Sequence, residues 1–190
     1  MGKYLKKNLD LLKPDTPLVF TDGTKIYKEL GEKYITHKVG FFILAPSGAG
    51  KTHFIKNQKD QHWIDGDEVW MMAKAHPEGE WWLEDTSIID GIDQRSDVIT
   101  VEAKKRGFWL MGASNYWLKP DAVVIPDWET HQRFITKREN NDYDGGATSK
   151  DLERVKKSRT WMSRWGKEGV TIFQSVEEAA DSLTEKHSQL

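Results

Sequence analysis

From Val39 to Ala45 the chain reads Val-Gly-Phe-Phe-Ile-Leu-Ala without a charged side chain, the pattern of a strand buried on both faces. A glycine-rich turn follows, and a short helix is predicted from Lys51 to about Lys59. His62-Trp63-Ile64 is a brief second strand that ends at Asp65-Gly66-Asp67. Glu68 to His76 has a helical pattern, whereas residues 77–92 are acidic and read as irregular. A helix over 93–106 is stopped by Gly107. Phe108 to Met111 and Ala122 to Ile125 are two further apolar strands. Helices at roughly 129–140 and 149–166 flank a polar loop, and a last strand over 169–173 leads into a helix over 176–187. Ahead of this pattern, residues 17–29 read as two extended runs around Asp22-Gly23, a hairpin signal.

Strands that alternate with helices predict an α/β fold: five parallel strands with helices on both faces. At 190 residues the chain suits one domain with a full-sized core. The expected organisation is an N-terminal extension over 1–38, not a domain by itself, and a main domain over 39–190. No apolar run is long enough to cross a bilayer, so no membrane partner is expected. The basic N-terminus has no apolar core or cleavage site of a signal peptide. Together with the absence of cysteine, this predicts a reducing, cytoplasmic setting and excludes disulfides, thiolate metal sites and a cysteine nucleophile. The net charge of -2 supplies no overall field toward polyanions.

Ala45-Pro-Ser-Gly-Ala-Gly-Lys-Thr52 matches G-x-x-x-x-G-K-[ST] with alanine at the first position. Ordinary residue frequencies give about one such chance match in a hundred chains of this length. The strand before it and the helix after it are the context the motif requires. Gly48 and Gly50 permit backbone angles that let the N–H groups of Ser47, Gly48, Ala49 and Gly50 converge on phosphate oxygens. Lys51 is placed to reach the β- and γ-phosphates, and the Thr52 hydroxyl to ligate Mg²⁺. ATP and Mg²⁺ are therefore the expected ligands.

Asp65 and Asp67 lie at the carboxyl end of the second strand, the edge that faces the ligand crevice in an open parallel sheet. Two carboxylates one residue apart can divide the work: one holds Mg²⁺ through water, the other accepts a proton from an attacking hydroxyl. Alternatively they only cap the helix that follows. Residues 129–164 carry many arginines and lysines and read as a lid, with Arg133 and Arg138 the candidates to stabilise a transferring phosphoryl group. A solvated helix face accounts for such charges too. The same basic stretch could track a nucleic-acid backbone, and Trp117 and Trp128 could stack on a base or fill the core. His62 and His131 read as ordinary surface histidines.

APSGAGKT followed by WIDGDEVW resembles the P-loop kinases that phosphorylate hydroxyls, the shikimate kinases and phage polynucleotide kinases among them. By that resemblance Asp67 is the general base and Asp65 belongs to the magnesium shell. Two features depart from the shikimate kinases: Met111-Gly-Ala-Ser114 stands where they have three glycines, and about forty residues precede the loop. The whole pattern is most similar to the phage-encoded P-loop kinases that modify 5-hydroxymethyluracil in DNA. That resemblance implies a hydroxyl on a nucleotide or modified DNA base as acceptor, and the host cytoplasm as setting. A deoxynucleoside monophosphate kinase, a small-metabolite kinase and a nucleotide-dependent switch without an acceptor are the alternatives.

Overall fold

The computed structural model describes residues 23–73, 75–76, 85–141 and 146–189. Its strands are β1 (Phe41–Leu44), β2 (Trp63–Asp65), β3 (Trp109–Gly112), β4 (Ala122–Val124) and β5 (Ile172–Phe173). They form one parallel sheet in the order β2-β3-β1-β4-β5. The chain leaves β1 toward β2 on one side and leaves β4 toward β5 on the other, so the connections reverse between β1 and β4. The expected five strands are all present, and β1, β3 and β4 are buried along their whole length, as an all-parallel sheet requires.

The helices are α1 (Gly23–Lys33), α2 (Lys51–Asn57), α3 (Gly66–Met72), α4 (Thr86–Lys105), α5 (Trp128–Asn140), α6 (Leu152–Ser163) and α7 (Val176–Ser188). The first of these overturns the hairpin expected around Asp22-Gly23, because residues 23–29 are helical. Tyr27, Leu30 and Tyr34, all buried, stand at i, i+3 and i+7, and that helical period prevails over the Asp-Gly turn signal. Residues 17–22 of that expectation lie outside the described residues, as do 77–84 of the irregular acidic stretch. The helix expected over 93–106 begins earlier, at Thr86, because Asp85 caps it: its side chain accepts from the Ser87 amide at 2.8 Å.

The chain falls into two compact units. The first comprises the described residues up to Phe42 together with Gln58–Lys119. Here β2 pairs with β3, Asp65 lying opposite Met111. Trp70 of α3 is fully buried and donates its indole N–H to Thr100 Oγ1 of α4 at 3.0 Å. A Cβ at Gly112 would stand 2.1 Å from the Trp70 ring, so the strand end needs glycine for this tryptophan to fit. α1 is tied to α3 by Lys33, 2.7 Å from the Glu68 carboxylate, and the next residue, Tyr34, donates its hydroxyl to the same group at 2.6 Å.

The second unit comprises Ile43–Asn57 and Pro120–Leu190. Ile43 and Leu44 pair with Ala122 and Val123, and β4 pairs with β5. α7 packs against β4, β5 and α2 through Val176, Ala179, Ala180 and Leu183. Ser175 caps it by accepting from the Glu178 amide. Ile135 of α5, Ala147 and Val155 of α6 form a small core, against which Trp128 and Leu152 pack. Among the described residues no helix is long and apolar enough to cross a membrane.

Candidate functional site

The loop from Ala45 to Gly50 leaves β1 and enters α2 through two left-handed glycines, Gly48 at φ 83° and Gly50 at φ 98°. Gly50 is required by that angle alone, since a Cβ there would meet nothing within 4 Å. Gly48 is required twice: a Cβ would also stand 2.5 Å from Ile135 Cγ1 and 3.4 Å from His131 Nε2. Lys51 is buried, and its ammonium donates to the carbonyls of Ala45 and Pro46, each at 2.9 Å. Burying a cation costs several kcal/mol unless acceptors surround it, and the loop supplies two through its own backbone. A turn with two left-handed glycines and a buried cation at its base is chemically suited to an anion. Ser47, Gly48, Ala49, Gly50, Lys51 and Thr52 thus form one continuous stretch in the second unit.

Three further elements hold this loop. The Ser47 hydroxyl oxygen accepts from the Ala147 amide at 3.1 Å. Gly146, at φ 91°, comes close enough that a Cβ would lie 2.9 Å from that same oxygen. Arg138 donates to the Ala147 carbonyl, while its Nε is buried with no hydrogen-bond partner. The Ser47 carbonyl is bonded at 2.8 Å to Nε2 of His131, and the other ring nitrogen is 2.8 Å from Arg159 Nη1. His131 is fully buried, which corrects its reading as a surface histidine. Burial pushes it down to about 4, the cations of Arg159, Lys51 and Arg138 adding to the effect against the Ser47 bond.

The two lid arginines of the sequence reading part company here. Arg138 lies beside the loop, one carbonyl removed from Ser47. Arg133 is on the exposed face of α5 and donates to Thr130 within the same helix at 3.3 Å. Arg159, another of the basic residues of the 129–164 stretch, rests over the Trp128 ring at 5.3 Å. Lys156 approaches the same ring at 5.2 Å, so Trp128 is engaged by side chains of its own unit.

Asp65 and Asp67 lie in the first unit at the end of β2. Asp65 is the N-cap of α3 and accepts from the Asp67 amide at 3.1 Å, so the capping role weighed in the sequence is present. Asp67 is 62% exposed, and its carboxylate is 3.9 Å from Nδ1 of buried His76. Ser96 donates its only hydroxyl hydrogen to the Ile92 carbonyl, so it accepts from His76 Nε2 at 3.0 Å. Nδ1 is then the bare nitrogen toward Asp67. Burial pushes His76 down to about 4, with Arg95 contributing, so this contact is not an ion pair at neutral pH. Among the described residues no three His, Asp or Glu side chains are grouped to hold a metal.

Asp90, Asp93 and Asp97 follow one another at i, i+3 and i+7 along α4. Asp97, fully buried, accepts from the Asn115 side chain at 2.7 Å and from the amides of Trp117 at 2.6 Å and Leu118 at 3.0 Å. It is a structural anchor for the segment after β3. Burial, with Asp97 and Asp90 nearby, holds Asp93 well above the usual carboxylate range despite a hydrogen bond to Ser114.

Comparison of the chain with protein-family models, with curated proteins and with solved structures gives no match.

Proposed function

We propose that the chain is an ATP-dependent phosphotransferase whose loop from Ala45 to Thr52 holds the triphosphate, and that it transfers the γ-phosphoryl group to a hydroxyl. The observation that carries this reading is the loop itself. Two left-handed glycines flank Ala49 and a buried Lys51 closes the turn, after one of the two strands between which the connections reverse. Ligands of open parallel sheets lie at the carboxyl ends of the strands at such a reversal.

In this reading the N–H groups of Ser47 through Gly50 and the Lys51 ammonium bind phosphate oxygens. Mg²⁺, when bound, offsets the charge that develops on the phosphates; Thr52 and Asp65 are the residues to hold it. Asp67 takes the proton of the acceptor hydroxyl as its oxygen bonds to phosphorus and the bond to the ADP oxygen breaks. Exposure of the Asp67 carboxylate suits a group that must meet an incoming substrate.

The proposed acceptor is a hydroxyl on a modified base in DNA, 5-hydroxymethyluracil being the specific expectation carried over from the sequence resemblance. The test is transfer of labelled γ-phosphate to a panel of 5-hydroxymethyluracil DNA, 5′-hydroxyl DNA, deoxynucleoside monophosphates and polyols. Label in the modified DNA alone is the expected result. Label only in the monophosphates overturns the DNA reading, and release only as free phosphate with every acceptor overturns the kinase reading.

A further inference from the structure

The inward stripe of α5 falls on the glycine-rich loop. His131, Ile135 and Arg138 stand at i, i+4 and i+7, so they share one face. His131 meets the Ser47 carbonyl, Ile135 fills the space under Gly48, and Arg138 secures the carbonyl of Ala147, whose amide is bonded to the Ser47 hydroxyl. The protonation of His131 follows from its partners. A guanidinium only donates, so Nδ1, 2.8 Å from Arg159 Nη1, is the nitrogen without hydrogen. Nε2 therefore carries the hydrogen and donates it to the Ser47 carbonyl. A neutral imidazole with one donor and one acceptor edge thus spans the loop and α6. The Arg159 guanidinium also lies over the Trp128 ring at 5.3 Å, and that ring meets His131 edge-on at 6.2 Å.

We propose that His131 is a positioning residue that fixes the Ser47 carbonyl with one ring nitrogen and, with the other, holds Arg159 as the cation that meets phosphates bound in the loop. The inference rests on the phosphate-binding reading of that loop. It assigns the lid charge to Arg159 in place of Arg133, and it makes the imidazole, not the guanidinium alone, responsible for where that charge points. Protonation of His131 would set a second N–H against Arg159 Nη1, with Lys51 and Arg138 also near. The ring can do this work only while neutral.

The test compares His131→Ala, His131→Gln, Arg159→Ala and the His131→Ala/Arg159→Ala double variant for binding of ATP–Mg²⁺ by calorimetry and for steady-state phosphate release or transfer. Arg159→Ala is expected to lower kcat about 10²-fold, the effect of removing one preorganised donor from a reacting centre. His131→Ala should lower kcat at least 10-fold with KM for ATP rising less, and the double variant should be no worse than Arg159→Ala. Gln, which also offers one donor and one acceptor, should recover part of the loss. Additive losses, or His131→Ala turning over like the wild type, overturn the proposal. Independently of any nucleotide, ¹⁵N-histidine spectra should show His131 as the Nε2–H tautomer down to pH 5, and an ordinary titration near pH 6.5 overturns it. Wild-type protein that does not bind ATP–Mg²⁺ while giving that spectrum removes the loop reading and the role of Arg159 with it. A wild type that binds, beside variants that behave normally, removes the positioning role alone.

Discussion

Two turns of this molecule start from the same plan, a strand of the sheet entering a helix through glycine, and reach opposite chemistry. After β1 the loop at Ser47–Gly50 is clasped by α5 and by Gly146-Ala147, with a buried lysine at its base. After β2 the turn at Asp65–Asp67 ends in an exposed carboxylate. Each turn has a buried neutral histidine beside it. His131 accepts from a cation, Arg159, and so becomes a strut. His76 offers the same bare Nδ1 to the carboxylate of Asp67 at 3.9 Å, where two electron-rich groups face each other and neither is held by the contact. In the proposed reading the first arrangement preorganises the phosphate site before any ligand arrives. In the proposed reading the second is the acceptor side, where Asp67 takes the proton of the hydroxyl.

The largest effects separate the two turns by function. Lys51→Ala should abolish nucleotide binding, lowering affinity for ATP–Mg²⁺ by about 10²-fold or more, and with it all transfer. Asp67→Asn should leave ATP affinity within about threefold while lowering transfer about 10²-fold or more, the range of a lost general base. Calorimetry and a labelled-phosphate assay on both variants decide this. Loss of ATP affinity in Asp67→Asn would mean that the carboxylate serves the donor site.

The next effect concerns rigidity. Gly48→Ala forces a side chain into a left-handed backbone and to within 2.5 Å of Ile135 Cγ1. A cost of about 2–4 kcal/mol in urea unfolding is expected, from strain and overpacking together. Gly50→Ala meets the same strain in open space, so about 1–2 kcal/mol is expected there. Equal costs would contradict the clamp on the loop.

How much of this was legible in the chain depends on whether the signal is local. Val39 to Ala45 announces its strand because a strand buried on both faces must be apolar throughout, and APSGAGKT announces its turn because glycines and lysine are needed at fixed offsets. Tyr27, Leu30 and Tyr34 carried the period of α1, but Asp22-Gly23 beside them carried a turn signal of equal strength. His131 was hidden for a different reason. Its burial depends on Ser47, 84 positions away, and on Arg159, 28 positions away. The only local hint was its place four residues before Ile135 on the stripe that faces inward.

Both histidines also make stability depend on pH, in a direction set by burial. Each is pushed from 6.5 to about 4 in the folded chain. The unfolded chain therefore takes up a proton on each as pH falls through 6.5, while the folded chain does not until about pH 4. Stability is full above pH 6.5 and is lost on descent toward 4. At pH 5 the loss is about 2 kcal/mol for each histidine. Urea unfolding at pH 7 and pH 5 should show it, and His131→Gln should remove about half of the pH 7-to-5 difference. A difference unchanged by that substitution would place the His131 titration at its ordinary value.

The smallest effect is the sharpest on the acidic turn, because Asp65 is asked to do two things. As N-cap of α3 it accepts from the Asp67 amide at 3.1 Å, and for that role asparagine serves as well as aspartate. As a holder of Mg²⁺ it needs its charge, which asparagine lacks. Asp65→Asn should therefore keep stability within a few tenths of a kcal/mol, whereas Asp65→Ala should lose about 1 kcal/mol by urea unfolding. If the carboxylate also belongs to the magnesium shell, both variants should raise the Mg²⁺ concentration needed for half-maximal transfer by a similar factor. Variants that differ in stability but share the wild-type Mg²⁺ dependence would reduce Asp65 to a helix cap and leave Thr52 as the protein's ligand. The turn after β2 would then be purely an acceptor-side device, with every contact to the nucleotide supplied by the loop after β1.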